Sequence, residues 1–127
     1  MKNERKFFEC SHCKNIISFL HDAGPSVTCC GEEMQALTPN TTDGAKEKHI
    51  PLAVREGNKL TVTVGSVPHP MTEEHHIAWI VVVDGNMTQR FALEKTQEPT
   101  AEFVVSNNPV TVYEYCNLHG LWAAESL

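Results

Sequence analysis

Long hydrophobic runs are missing from this chain: the longest, Ile77 to Val83, is far too short to cross a bilayer, so no membrane-spanning helix is expected. Basic residues are also few. Ten Lys and Arg stand against 16 Asp and Glu, for a formal net charge of −6. Nucleic acid and acidic membrane surfaces both call for a basic face, so neither is expected as a partner. A small anionic substrate would depend on local positive charge. The opening Met1-Lys2-Asn3-Glu4-Arg5-Lys6 is charged and leads into no apolar segment, so no secretory signal is expected and the expected location is the cytoplasm. No stretch has the periodicity of an amphipathic helix, and there is no internal repeat or low-complexity tract. A chain of 127 residues has no room for two full-sized cores, but it can hold one domain of about 90 residues and a very small module.

What the chain has in excess is metal-binding chemistry, with five cysteines and seven histidines. An odd cysteine count without a secretory signal favours metal ligands over a disulfide framework. Four of the cysteines fall in residues 1–37, a module with too few apolar side chains to stabilise itself unstapled. Within it Ile16 to Leu20 reads as a short strand and His21-Asp22-Ala23-Gly24-Pro25 as a turn. Residues 38–45 are polar and aperiodic and read as a linker, so a second domain is expected over 38–127, its first residues, 38–48, being the linker and a loop to which the resemblance given below assigns the substrate side. From there short strand-like runs alternate with turns: Ile50 to Arg55, Lys59 to Val64, Ile77 to Val83 before Asp84-Gly85, Thr88 to Leu93, Ala101 to Ser106 and Val110 to Tyr115. The expected fold is mostly β, a small metal-binding module followed by an immunoglobulin-like antiparallel β-sandwich.

Cys10-Ser11-His12-Cys13 is a C-x-x-C knuckle, followed sixteen residues later by the adjacent pair Cys29-Cys30. A turn between two thiolates aims both sulfurs at one tetrahedral metal and points backbone N–H groups at them. Adjacent cysteines in extended chain point to opposite sides, so using both on one metal widens the angle between their sulfurs. A purely structural zinc ribbon is the bland alternative.

Three further signals lie downstream: Glu47-Lys48-His49, then His69-Pro70-Met71-Thr72-Glu73-Glu74-His75, then Cys116-Asn117-Leu118-His119. Each falls at the end of an expected strand, where the loops of a sandwich gather. Strand alternation allows only one of His75 and His76 to face a common metal, and periodicity does not say which. His12, His21 and His76 read as surface or packing residues. Four neutral imidazoles and one thiolate leave a sixth position open on iron, with the thiolate donating electron density toward it. The alternative is a protein whose irons only relay electrons.

Together these motifs resemble, over essentially the whole chain, the desulfoferrodoxin family of superoxide reductases in its two-iron form. The resemblance implies two Fe per chain. Cys10, Cys13, Cys29 and Cys30 would hold a distorted tetrahedral iron. His49, His69, His75 and His119 would be equatorial ligands of the second, with Cys116 axial; the family spacing selects His75 over His76. Glu47 would approach the open position in the oxidised state, and Lys48 would flank the path of superoxide. A homodimer and a rubredoxin-type electron donor are implied as partners. Lys14 stands where the family often has glycine, at a position that tends to favour positive φ, and His76 stands where an aromatic is common.

Overall fold

The computed structural model describes residues 3–42 and 44–126. They divide into two compact units, Arg5–Thr38 and a larger one from Pro39 onward that also takes in Asn3 and Glu4. In the small unit, strands β1 (Phe8–Glu9), β2 (Ile16–Ile17), β3 (Thr28–Cys29), β4 (Glu32–Glu33) and β5 (Gln35–Ala36) form a three-stranded sheet ordered β2-β1-β5 and a β3-β4 hairpin. The apolar run from Ile16 gives only a two-residue strand, because β1 offers just Phe8 and Glu9 for pairing. Phe19 instead packs edge-on against Phe8, with ring centroids 5.3 Å apart, and Leu20 is fully exposed. The turn at His21–Pro25 is closed by Gly24 N–H donating to Asp22 Oδ1 at 2.8 Å. Phe7, Cys10 and Met34 are its buried apolar side chains, too few for a core that stands alone.

The larger unit opens with one helical turn, α1 (Lys46–His49), followed by β6 (Pro51–Glu56), β7 (Lys59–Val64), β8 (Ile77–Asp84), β9 (Met87–Ala92), β10 (Thr100–Val104), β11 (Val110–Cys116) and β12 (Gly120–Ser126). The strands pair antiparallel in two sheets, ordered β10-β7-β6 and β12-β11-β8-β9. Consecutive strands change sheet between β7 and β8, again at β9 to β10, and again at β10 to β11, as in an immunoglobulin-like sandwich. Alternate residues of facing strands, among them Leu60, Val62, Val64, Ile80, Val82, Phe103, Val110 and Val112, fill the interior. Full burial of each such side chain contributes about 1.5–3 kcal/mol.

Two elements of the larger unit were not expected. Strand β12 lacks alternation because Leu121, Trp122 and Ala123 are all buried, so both of its faces are covered. Helix α1 is too short to leave a periodic trace and is fixed by its surroundings: Glu47 O accepts from Val67 N–H at 2.9 Å, and Gly65 N–H donates to Ile50 O at 3.2 Å. Asn40, in the segment read as a linker, is pinned to β12. Its backbone N–H donates to Leu121 O at 3.0 Å, while its side chain donates to Ala123 O at 3.1 Å and accepts from Ala123 N–H at 2.9 Å.

The strand directions decide where function can gather. Register pairs Pro51 with Val64 in one sheet, and Cys116 with both Gly120 and Ile77 in the other; the donor atoms that gather beside these residues show that the two sheets bring those ends together at one end of the sandwich.

Candidate metal centres

At that end the structure brings together His49, His69, His75, Cys116 and His119, with their donor atoms all within 4.8 Å of one another. His49 closes α1, His69 lies in the loop after β7, His75 precedes β8, and Cys116 and His119 flank the turn from β11 to β12. Cys116, His49 and His69 are buried, and His75 and His119 are half-buried. A β-bulge explains why His75 rather than His76 is included. Tyr115 pairs with Trp79 but Cys116 pairs with Ile77, so Ala78 is the extra residue. The bulge moves Ile77 onto the core face that Ile80 and Val82 occupy, and His75, two residues earlier, inherits that side. His76 points away, its Nδ1 lying 2.9 Å from Thr72 O.

The hydrogen bonds assign the donor atoms. His49 Nδ1 lies 2.7 Å from Ala45 O, and His69 Nδ1 lies 2.7 Å from Pro70 O, so each donates there and leaves Nε2 as a bare lone pair. Those two Nε2 atoms are only 3.1 Å apart, and His119 Nδ1 is 3.1 Å from His49 Nε2. His75 Nε2 is buried with no hydrogen-bond partner. Burial first, and then the neighbouring charges, hold the His49 and His75 imidazoles below their usual pKa, and His69 falls to about 4. Neutral imidazoles whose lone pairs converge repel one another unless a cation lies between them. In a square plane, 3.1 Å between adjacent donors corresponds to a metal–nitrogen distance of about 2.2 Å, within reach of metal–imidazole bonding. Cys116 Sγ lies 3.8 Å from His119 Nδ1. Burial pushes its thiol up, against the pull of the Leu118 and His119 backbone N–H groups. A bound cation would convert it to the thiolate. Trp122 completes the wall, stacking on His49 with centroids 4.9 Å apart and donating Nε1–H to His119 O at 3.1 Å.

In the small unit Cys10, Cys13, Cys29 and Cys30 form a second group with sulfurs within 4.8 Å of one another. The sulfurs of Cys13 and Cys29 are 3.6 Å apart and those of Cys29 and Cys30 are 4.0 Å apart. These distances bracket the edge of about 3.8 Å expected for a tetrahedron with metal–sulfur bonds of about 2.3 Å. Cys13 N–H points at Cys10 Sγ at 3.4 Å and is the main cause that lowers the Cys10 thiol to about 6. Lys14 has φ 66° and Cys30 has φ 53°, both in the left-handed region. The knuckle therefore uses a lysine where glycine fits without steric cost, and the turn at Cys30 lets adjacent cysteines face one point. His12 lies outside the sulfur group, its Nε2 3.0 Å from Glu32 Oε1.

The desulfoferrodoxin profile matches residues 41–125, which include all five members of the histidine and cysteine cluster. The chain belongs to the desulfoferrodoxin family. Desulfoferrodoxin from Nitratidesulfovibrio vulgaris is 44% identical over 126 residues, covering 99% of this chain and 100% of that protein. The solved superoxide reductase of Treponema pallidum superposes with a TM-score of 0.79 at 36% identity, covering 98% of this chain and 99% of that one. A one-iron superoxide reductase from Giardia intestinalis, 33% identical with a TM-score of 0.57, covers 64% of this chain and 98% of its own.

Glu47 and Lys48 precede His49 on α1, with Glu47 exposed and Lys48 half-buried. After burial and the neighbouring imidazoles, the charge of Lys48 is a smaller influence that lowers both His49 and His75. Three supporting residues were not foreseen: Trp122, Gly65 and, in its contacts, Asn117. Trp122 lies in a strand that gave no alternation, and the contacts of the other two join segments distant in sequence.

Proposed function

We propose that the chain is a superoxide reductase, which converts superoxide to hydrogen peroxide with one electron and two protons and releases no dioxygen. The observation that carries this reading is the convergence of four imidazole lone pairs and one buried cysteine on a single point. When bound there, iron supplies a one-electron reductant with a coordination position open to a small anion. His49, His69, His75, His119 and Cys116 would hold it, and the Cys116 thiolate would donate electron density to it. The Ala45 and Pro70 carbonyls keep His49 and His69 in the tautomer that offers Nε2. Lys48 would draw the anion in against the net charge of −6 and organise the water that delivers protons. Glu47, exposed on the same helical turn as His49, would lie beside the substrate's entry. Cys10, Cys13, Cys29 and Cys30 would hold a second iron. We further propose a cytoplasmic homodimer reduced by a rubredoxin-type donor. The likeness to solved superoxide reductases supports the reductase over a passive electron carrier.

A superoxide pulse delivered to the ferrous protein tests this directly. Second-order decay of superoxide with hydrogen peroxide as product and no dioxygen is expected; loss of superoxide only at the uncatalysed rate would leave an electron carrier.

Two substitutions separate the parts. Lys48→Ile is expected to slow the second-order reaction about tenfold, near the low end of electrostatic steering, and to flatten its salt dependence. Equal rates for parent and variant at two ionic strengths would make Lys48 an ordinary solvated lysine. Cys13→Ser is expected to empty the four-cysteine site while a prereduced second site keeps its full rate, since the family profile begins at residue 41. A variant unreactive with its second iron intact would end that division of labour.

A further inference from the structure

His75 differs from the buried histidines beside it in having nothing to hold its ring. Ala45 O holds His49 Nδ1 and Pro70 O holds His69 Nδ1. Neither ring nitrogen of His75 has a hydrogen-bond partner among the described residues. Its position therefore depends on its backbone, which belongs to a closed turn. Thr72 N–H donates to His75 O at 2.9 Å, His75 N–H donates to Thr72 Oγ1 at 3.1 Å, and the Thr72 hydroxyl lies 3.2 Å from His75 O. Such a turn moves as one piece, and something has to dock it against the other ligands.

Asn117 supplies that docking. Its side-chain amide donates to Glu74 O at 2.9 Å, its side-chain oxygen accepts from His76 N–H at 2.8 Å, and its own N–H donates to His76 O at 3.2 Å. The contacts fall on the residues either side of His75 and leave His75 itself untouched. Asn117 is also the chain neighbour of Cys116 and lies two residues before His119. One side chain thus ties the turn that carries the third imidazole to the turn that carries the thiolate and the fourth. The amide suits the task because it is donor and acceptor at once, matched to a carbonyl and an N–H two residues apart.

We propose that Asn117 is the positioning residue for His75, fixing its Nε2 on the common point through the backbone of Glu74 and His76. The proposal rests on the metal-site reading above but not on superoxide chemistry. Removing the side chain would let the Thr72–His76 turn drift as a unit, so the cost falls on metal affinity through His75 alone. Changes to groups that orient ligands typically weaken metal binding about 10- to 100-fold.

The test is titration of the full-length apoprotein with cobalt(II), following the spectra of the two sites separately. Asn117→Ala is expected to weaken the histidine and cysteine site about 10- to 100-fold and to leave the four-cysteine site unchanged. Asn117→Asp keeps the acceptor for His76 N–H but turns a carboxylate oxygen toward Glu74 O, and about tenfold weakening is expected. That isosteric variant carries the test if Asn117→Ala yields no soluble protein. A merely structural role is separated by a double-mutant cycle. In a His75→Ala background either Asn117 change should cost less than about twofold more, because the ligand it positions is gone. Unchanged affinity in the parent background, or the same loss with and without His75, overturns the proposal. A parent that takes up cobalt only at its four cysteines overturns the metal-site reading and the clamp together. No superoxide enters the measurement, so either the clamp or the reductase can fail while the other stands.

Discussion

Cys116→Ser is expected to abolish superoxide reduction, lowering the second-order rate by more than about 100-fold, beyond the range seen when an outer group that merely orients a ligand is changed. Cys116 is completely buried, at the end of the core-facing row that contains Val110 and Val112. Serine fits the space, so the sandwich should fold and the histidines should still gather. The chemistry changes instead. A serine hydroxyl is a harder and poorer electron donor than a thiolate, and the electron density reaching the open position falls with it. The Leu118 and His119 N–H groups that favour the thiolate would then face an oxygen they were not spaced for. Pulse radiolysis of the prereduced variant checks the rate, and its visible spectrum checks whether a thiolate band has gone. Reactivity within tenfold of the parent would show that the Cys116 thiolate does not supply the electron density.

The clustering of nine cysteine and histidine side chains in two groups was legible in the sequence because their spacing and residue types are unusual in so short a chain. The β-sandwich was legible where strands have one wet face, as in Lys59 to Val64. It was not legible at β12, where the apolar run Leu121-Trp122-Ala123 is covered on both faces and leaves no period of two. Nor could alternation choose between His75 and His76. That choice is made by the extra residue Ala78, and a bulge depends on pairing with a distant strand rather than on local composition. Asn40 was hidden for a similar reason. Thr38 to Ala45 has the polarity of a linker, yet Asn40 makes its bonds to Leu121 and Ala123 some eighty residues away. Lys14 shows the opposite case, in which a residue out of place by type marked a backbone conformation that the structure has.

Gly65→Ala is expected to destabilise the larger unit by about 2–5 kcal/mol, a large share of the roughly 5–15 kcal/mol that keeps a domain folded. Gly65 has φ +82°, and a Cβ there would lie 2.6 Å from Lys48 O, 2.7 Å from Val67 O and 2.8 Å from Glu47 O. All three atoms are backbone oxygens, so none can swing aside as a flexible side chain would. Left-handed backbone costs an L-residue about 1–2 kcal/mol, and forcing extra atoms into a packed site costs about 1–3 kcal/mol more. Gly57 separates these causes: it has φ +61° with nothing within 4 Å of an added Cβ, so Gly57→Ala should show the backbone cost alone. At about 4–8 °C per kcal/mol, thermal unfolding of the metal-loaded protein should fall by about 4–16 °C for Gly57→Ala and by about twice as much for Gly65→Ala. Equal shifts would mean that the Glu47 and Lys48 carbonyls yield easily. The second consequence is chemical. Those carbonyls belong to the helical turn that ends in His49, so relief of the clash must displace α1 and, with it, an imidazole whose Nε2 lies 3.1 Å from two other donors. Gly65→Ala should therefore alter the spectrum of metal bound at the histidine and cysteine site, whereas Gly57→Ala, at the turn between β6 and β7 far from that end of the sandwich, should leave it as it is.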